Sequence, residues 1–226
     1  MTAHDDAADA TLVVDGVAAV ELEPDRFSAT AHLRSAVVPA APAAMAEVAA
    51  LRRDLLDHLA ARHPAAALAD AAIAVREHVV HVEVDGRSEV RVEGVYAVAS
   101  VTLELPAADA AAAIASIGAF PGTARLEHGF ALDPAREAAA RLELAADAIR
   151  DARRRAVVLA AAADLAVRGI VAIGEQPTDG GGPVMYAMAK GAYLGDDGDA
   201  LLAELGELRP EPVALEERVR VRFRLG

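Results

Sequence analysis

The sequence contains no cysteine, no tryptophan and no asparagine, and it has a single lysine, Lys190, and a single glutamine, Gln176. Without cysteine, the chain has no disulfide, no thiolate metal site and no cysteine nucleophile. Aromatic residues make up 3% of its 226 residues, so alanine, valine and leucine must fill the core. Because small side chains each bury little area, such a core needs many close contacts.

The charge balance and the absence of long apolar runs exclude two classes of partner. With 35 acidic and 22 basic side chains, the chain has a formal net charge of −13, which disfavours a nucleic-acid partner. No stretch approaches the roughly 20 uncharged apolar residues that span a membrane, so no membrane partner is expected. The amino terminus lacks the basic start and apolar core of a secretory signal. We therefore expect a cytoplasmic protein, with residues 1–10 as a flexible acidic lead-in.

Apolar residues alternate with period two before and after the corner at Pro24-Asp25, which predicts two half-buried strands within 11–34. A helix is predicted over 43–62. Apolar residues at helical spacing line one side of it: Met45, Val48, Leu51, Leu55 and Leu59.

A hairpin is predicted next, because Asp85-Gly86 favours a tight turn between strands over 73–84 and 88–105. Gly94 interrupts the second of these strands and indicates a bulge. A short helix fits 107–117, and a strand fits 124–132.

The second half of the chain is dominated by a long helix that Asp133 can cap, with Pro134 at its first position. Gly169 is expected to end this helix before a strand at 170–173, and 213–225 closes the chain as another strand. The predicted buried stripe of the helix is Leu142, Ala146, Ile149, Ala156, Leu159, Ala163 and Val167, with Arg150 and Arg154 on the exposed side.

Helices interspersed among hairpins favour an α+β fold, in which antiparallel sheets pack against one long and two shorter helices. Residues 11–226 form either a single domain or two coupled halves, about 11–105 and 106–226.

Four arginines are the sharpest charged feature of the sequence, and period two places them on one face of the last predicted strand. They are Arg218, Arg220, Arg222 and Arg224, called the arginine row below. Such a row can bind an anion or an acidic partner. It can also pair with carboxylates on neighbouring strands, such as Glu21, Glu23 or Glu83, and the acidic balance of the chain favours this pairing.

The histidines, glycine-rich loops and serines of the sequence lack the patterns typical of catalytic, cofactor and metal sites. Neither His58 and His63 nor His78 and His81 have the i,i+4 spacing of a zinc helix. Gly180–Pro183 lacks the Lys-Ser/Thr of a phosphate loop, and Gly195–Asp199 is followed by apolar residues where a calcium loop needs oxygen ligands. No serine lies in a recognisable nucleophile motif, and the carboxylates near 21–25 fit an exposed turn. We therefore predict no catalytic, cofactor-binding or metal-binding residues.

The segment 184–208 combines methionine, tyrosine and leucine, which suit an adaptable contact surface. Its candidate oligomer contacts are Met185, Tyr186, Met188, Tyr193, Leu201 and Leu205. A loop that packs on its own domain is the alternative.

Four short motifs, in order and spacing, resemble the SIMPL domain family over nearly the whole chain. They are Glu21-Leu-Glu-Pro-Asp25, Gly94-Val-Tyr96, Gly129-Phe-Ala-Leu-Asp133 and the segment from Ala152-Arg-Arg-Arg-Ala156 to Gly174-Glu175. The resemblance implies an α+β fold and no catalytic residue set. Most known members are exported to bacterial envelopes, some are implicated in oxidative-stress defence, some form large hollow oligomers, and an animal relative is a signalling adaptor.

The sequence thus leads to two functional hypotheses. The first is a non-enzymatic, self-associating structural, scaffold or stress-related protein that forms a homo-oligomer through residues 184–226. The alternative is a binding module that recognises a partner protein or a small anion through the arginine row or the 184–208 loop.

Overall fold

The computed structural model describes residues 10–84, 87–175, 192–193 and 210–226, which form two compact units that interleave along the sequence. The first unit consists of strand β1 (Thr11–Leu22), helix α3 (Pro134–Ala162), strand β7 (Val167–Glu175) and strand β9 (Val213–Leu225). The remaining elements form the second unit. They are β2 (Arg26–Arg34), α1 (Ala41–Arg62), β3 (Ala67–Asp70), β4 (Ala74–Val84), β5 (Arg87–Pro106), a 3-10 turn (Ala107–Asp109), α2 (Ala110–Gly118), β6 (Thr123–Ala131) and β8 (Ala192–Tyr193). The predicted α+β class, with antiparallel sheets and one long and two shorter helices, is confirmed.

The sheet of the first unit is antiparallel and has the strand order β1-β9-β7. Its central strand is therefore β9, the last strand in the chain, which pairs with β1 from Thr11↔Arg224 to Leu22↔Val213. Helix α3 packs on one face of this sheet. The core between them consists of Val14, Val219, Val221 and Phe223 from the sheet and Ala148, Ala152 and Ala156 from the helix.

The start of α3 follows the prediction, because the Asp133 carboxylate accepts hydrogen bonds from the backbone N–H groups of Ala135 and Arg136 at 2.9 and 3.3 Å. The predicted end is wrong. The helix stops at Ala162, two residues before Asp164 adopts a left-handed φ of 57°, a conformation that aspartate tolerates better than most side chains. Gly169, the expected end of the helix, lies within β7.

The predicted buried stripe of α3 is also wrong in its large residues. Leu142 and Leu159 are 75% and 52% exposed, and Ile149 only borders the core. The side chains that face the sheet are Leu144 and an alanine stripe of Ala148, Ala152, Ala156 and Ala160. The reason is the close approach of the helix to β1, described below, which leaves room for alanine but not for leucine.

The second unit is built on a six-stranded antiparallel sheet with the order β3-β5-β2-β6-β8, in which β4 also pairs with β5. Helices α1 and α2 supply Val48, Leu55, Ile114 and Ile117 to a core against β2 and β5. In α1 the buried set includes Ala44, whereas Met45, which the spacing placed on the apolar side of the helix, is exposed. The predicted bulge is confirmed, since the register of β4 and β5 shifts between His78 and Val79, opposite Gly94. None of the described helices is long and apolar enough to cross a membrane.

Candidate functional site

The arginine row lies where the sequence predicted, on one face of β9. The alternate residues Leu215, Val219, Val221 and Phe223 are buried under α3, so the four arginines project from the opposite face and are exposed. Because β9 is the central strand, its row is flanked by β1 on one side and β7 on the other. Period two alone fixed this placement.

Arg220 and Arg218 are paired with carboxylates. Arg220 forms a bidentate ion pair with Asp15, its register partner on β1, with Nε to Oδ1 at 2.7 Å and Nη2 to Oδ2 at 3.0 Å. The hydrogen bond from Arg220 holds the pKa of Asp15 below its ordinary value, and the hydrogen bond to Asp15 raises the pKa of Arg220. Arg218 donates to Glu216 on its own strand. Cross-strand pairing was thus predicted correctly in kind, but its carboxylate is Asp15 and not Glu21, Glu23 or Glu83.

Arg222 has a different environment from Arg218 and Arg220. Arg222 has no carboxylate partner among the residues that the structure describes. Its register partners are Val13 on β1 and Ala172 on β7, neither of which is charged. Arg224 lies between Thr11 and Gly169. The described strands β1 and β7 thus place no carboxylate opposite Arg222.

Strand β7 leaves the arginine row open on one side. The β7 residues that share its face are Gly169, Ala172 and Gly174, opposite Arg224, Arg222 and Arg220. A Cβ atom placed at either glycine would meet no other atom within 4 Å. Among the described residues, the flank along β7 thus presents backbone and one methyl group.

The other face of the same sheet is covered by α3 over β1. A Cβ at Gly16 would lie 1.9 Å from the carbonyl oxygen of Ala148 and 2.8 Å from the amide nitrogen of Ala152, so only glycine allows strand and helix backbones to approach so closely. Helix α3 also provides a carboxylate that accepts a hydrogen bond from strand β1. The Oδ2 atom of Asp151 accepts a hydrogen bond from the Val17 N–H at 3.3 Å, and this bond lowers the pKa of Asp151.

Strand β7, by contrast, carries exposed apolar side chains that the sequence analysis did not identify as a surface. Ile170, Val171 and Ile173 are 46%, 47% and 50% exposed. Ile170 and Ile173 are register partners of Phe223 and Val221, so they lie on the face that α3 covers elsewhere. The only signal in the sequence was the lack of period-two alternation in Gly169-Ile-Val-Ala-Ile-Gly174, which is equally typical of a fully buried strand.

One serine and one histidine lie within hydrogen-bond distance, although no sequence motif predicted the pair. The Nε2 atom of His63 is 3.0 Å from the Oγ atom of Ser116. The Ser116 hydroxyl donates to the carbonyl oxygen of Ala112, one turn earlier in α2, at 2.8 Å. Its proton is therefore committed to the backbone and His63 acts as the donor, which is opposite to the polarity of an activated nucleophile.

The remaining candidate residues do not form a site in the described part of the chain. His58 contacts Arg62, and His78 packs against Tyr96. No group of three or more His, Asp or Glu side chains that could hold a metal ion occurs in that part. Of the predicted oligomer contacts, Met185, Tyr186, Met188, Leu201 and Leu205 lie outside the described residues. Tyr193 belongs to β8, where its backbone pairs with Arg125 of β6.

Comparison with known families gives a match over almost the entire chain. Residues 12–223 match the family model SIMPL, described as a protein of unknown function (DUF541). No curated protein matches the sequence. The family assignment therefore agrees with the motifs and the fold, and it brings no defined activity with it.

Proposed function

The chain belongs to the SIMPL family, and we propose that it is a non-enzymatic protein that associates with copies of itself through strand β7. The observation that carries this proposal is the exposure of Ile170, Val171 and Ile173 on β7, which is an edge strand among the strands that the structure describes. The sequence hypothesis of self-association is kept, and the contact that we propose is β7, in addition to the expected region 184–226, which stays a prediction.

The width of a helix explains why β7 is uncovered. Neighbouring strands lie ~4.8 Å apart, and a helix with its side chains is ~10 Å wide, so a single helix covers about two strands. Close packing against Gly16 and the hydrogen bond from Val17 to Asp151 hold α3 over the β1 side of the sheet. Among the residues that the structure describes, no helix covers the third strand, β7.

The two edges of the sheet differ in how they discourage pairing with another chain. Strand β1 has a charged residue in its middle, Asp15, and one of its N–H groups already donates to Asp151. Strand β7 has charged residues only near its ends, Arg168 and Glu175, and it contains no proline. An apolar edge strand without such protection is a template for pairing with a second strand.

The partner proposed for this edge is β7 of a second copy, aligned antiparallel about a twofold axis. Such an isologous contact places the same residues of both copies against each other, so Ile170 and Ile173 of each copy meet in one apolar cluster. It would also join two three-stranded sheets into one of six strands and satisfy the edge backbone groups of both.

The test is light scattering on the full chain from micromolar to high-micromolar concentration. We expect a mass above that of the 23.3 kDa monomer, a shift to monomer in Ile173→Lys, and no shift in Val158→Lys, a matched change at an exposed position of α3. Circular dichroism checks that both variants fold. A monomeric wild-type chain over the whole range, or an equal effect of the two variants, would refute assembly through β7.

A second candidate function, a binding module, is favoured by Arg222 and its uncharged neighbours. This function does not depend on assembly, because the arginine row and the apolar side chains Ile170 and Ile173 lie on opposite faces of the sheet.

A further inference from the structure

We infer that strand β5 pairs with β5 of a second copy along residues 87–93, antiparallel and about a twofold axis at Val90. This contact goes beyond the proposed function, because it uses a strand of the second unit and does not depend on β7. Three features of the segment support it: an unpaired edge, an exposed apolar face and a charge pattern that is complementary to itself.

Residues 87–93 belong to a part of β5 that is paired on one side only. Strand β4 pairs with this part on one side. On the other side, β2 pairs with β5 at 98–106, and Val38 exchanges backbone hydrogen bonds with Val95. Among the described residues, nothing pairs with this edge before Val95, so it can accept a further strand.

The bulge between β4 and β5 sets the direction of the backbone groups in this segment. Val95 directs its N–H and C=O groups to Val38, and the one-residue register shift at the bulge reverses the alternation beyond it. The N–H and C=O groups of Ser88, Val90 and Val92 therefore point away from β4. An antiparallel strand centred on Val90 would satisfy them.

One face of this segment is apolar and exposed. Val90 and Val92 are 64% and 53% exposed, and Val79, the register partner of Val92 on β4, is 46% exposed. Two strands alone are marginally stable in water, whereas three or more strands with an apolar face are stable. Pairing of two copies would turn two such ribbons into a four-stranded sheet, with these three valines of each copy on one face.

The charged residues of the segment alternate with its valines and also alternate in sign: Arg87, Glu89, Arg91 and Glu93. Glu89 and Arg91 lie opposite uncharged residues of β4, and neither has an ion-pair partner in the part of the chain that the structure describes. About a twofold axis at Val90, Glu89 of each copy faces Arg91 of the other, and Arg87 faces Glu93. Opposite charges that face each other across two antiparallel strands stabilise their pairing.

This charge pattern selects a second copy in a single register. A slide by two residues would bring Glu89 against Glu89 or Arg91 against Arg91, and a parallel alignment in register would place like charges opposite each other throughout. The segment has two arginines and two glutamates, so it is locally neutral although each copy has a net charge of −13. Salt at ~0.15 M screens the repulsion between copies beyond ~8 Å.

The contact is small, because only residues 87–93 of each copy pair along it. Interfaces that bury less than ~1,200 Å² are typically transient. We therefore expect too few paired copies to shift the mass in light scattering, and the contact must be trapped to be measured.

The test is disulfide trapping, for which the absence of native cysteine makes a single engineered thiol specific. In Val90→Cys the two thiols face each other across the axis, with Cα atoms ~5.5 Å apart, a distance that a disulfide can bridge. Val92→Cys is the matched control, because Val92 faces Ser88 and its own counterpart lies more than ~13 Å away. With oxidised glutathione as the oxidant, we expect disulfide dimers on non-reducing gels for Val90→Cys but not for Val92→Cys. A mixture of Ser88→Cys and Val92→Cys should give dimers that neither variant gives alone.

Charge exchange tests the predicted register. Glu89→Arg, added to Val90→Cys, places arginine opposite Arg91 and should lower the dimer yield several-fold, and the further change Arg91→Glu should restore it. All variants also contain Ile173→Lys, which removes the contact proposed for β7, so the result is independent of that proposal. Circular dichroism checks that each variant folds.

Three results would overturn the inference. The first is the absence of Val90→Cys dimers at high-micromolar concentration. The second is an equal yield for Val90→Cys and Val92→Cys, which would mean random collision. The third is a yield that Glu89→Arg leaves unchanged, or that Arg91→Glu does not restore in a folded chain.

Discussion

The substitution Gly16→Ala tests most directly how the first unit is held together. The added Cβ would stand 1.9 Å from the carbonyl oxygen of Ala148, whereas ordinary contact begins at 3.4 Å, so strand and helix must separate by about 1.5 Å. The second neighbour, Ala152 N, is also a backbone atom. Neither atom can rotate away as a side chain would, so the separation must be taken up by movement of the whole helix.

The free-energy cost of this movement comes from the gap that it opens between helix and sheet. A radial gap of 0.5–1 Å already removes about a quarter to a half of the contact energy of the facing atoms. The side chains of the alanine stripe are too short to fill such a gap. Overpacked core substitutions cost ~1–3 kcal/mol, and two backbone contacts place Gly16→Ala near the upper end. Loss of glycine flexibility in the unfolded chain offsets ~0.4–1 kcal/mol. We expect a net loss of about 2 kcal/mol.

The measurement is urea unfolding by circular dichroism, together with hydrogen exchange of β1 and β9 amides, because two units can unfold separately. The matched control is Gly174→Ala, whose Cβ would meet nothing within 4 Å, and which should be neutral or slightly stabilising. If the two variants differ by less than about 0.5 kcal/mol, the close approach does not set the position of α3.

Three further predictions concern packing and titration. Leu144→Ala should lower the free energy of unfolding by about 2–5 kcal/mol because Leu144 is 5% exposed, whereas Leu159→Ala, at 52% exposed, should change it by less than about 0.5 kcal/mol. If urea titrations give equal losses in the free energy of unfolding for the two variants, Leu159 is a core residue and its exposed position is wrong. Burial lowers the pKa of His128 below 6.5, so the folded state binds fewer protons than the unfolded state there. The free energy of unfolding should therefore be constant with respect to His128 above about pH 6.5 and should decrease as the pH falls from there to the folded-state pKa. His128→Gln should remove this decrease. Arg220 lowers the pKa of Asp15, so the pair stabilises the fold above the ordinary value of 3.8 and this contribution is lost as pH falls. Arg220→Gln should raise the Asp15 pKa in an NMR titration, and an unchanged value would show that the ion pair is absent in solution.

The sequence predicted those features that depend on local periodicity or on turn and cap chemistry. Period two placed the arginine row on one face, and Asp133 and Gly94 marked a cap and a bulge. The buried stripe of α3 was predicted wrongly because it was chosen by its large apolar residues. Such a choice assumes a wide gap between helix and sheet. Gly16 allows strand and helix to close that gap. Because Gly16 lies more than 130 residues from Ala148 in the chain, no local sequence pattern indicates their contact.

The candidate surfaces were predicted only in part, because they also depend on contacts between distant segments of the chain. The four arginines were identified, but the partner of Arg220 is Asp15, 205 residues away, and only the pairing of β1 with β9 brings them together. The exposure of Ile170 and Ile173 depends on which strands α3 reaches. A run of apolar residues fits a strand buried on both faces equally well.

The position of β9 has a consequence for the order in which the protein can fold during synthesis. Both β1 and β7 pair with β9 in the described structure, yet β9 is the last of the three to leave the ribosome. Until then β1 lacks the strand with which it pairs, and the alanine stripe of α3 has no complete sheet to pack on. Strands β2 to β6, by contrast, are complete once residue 131 has emerged. The first unit therefore closes only once β9 has been made, and the large sequence separation of β1 and β9 makes their pairing slow.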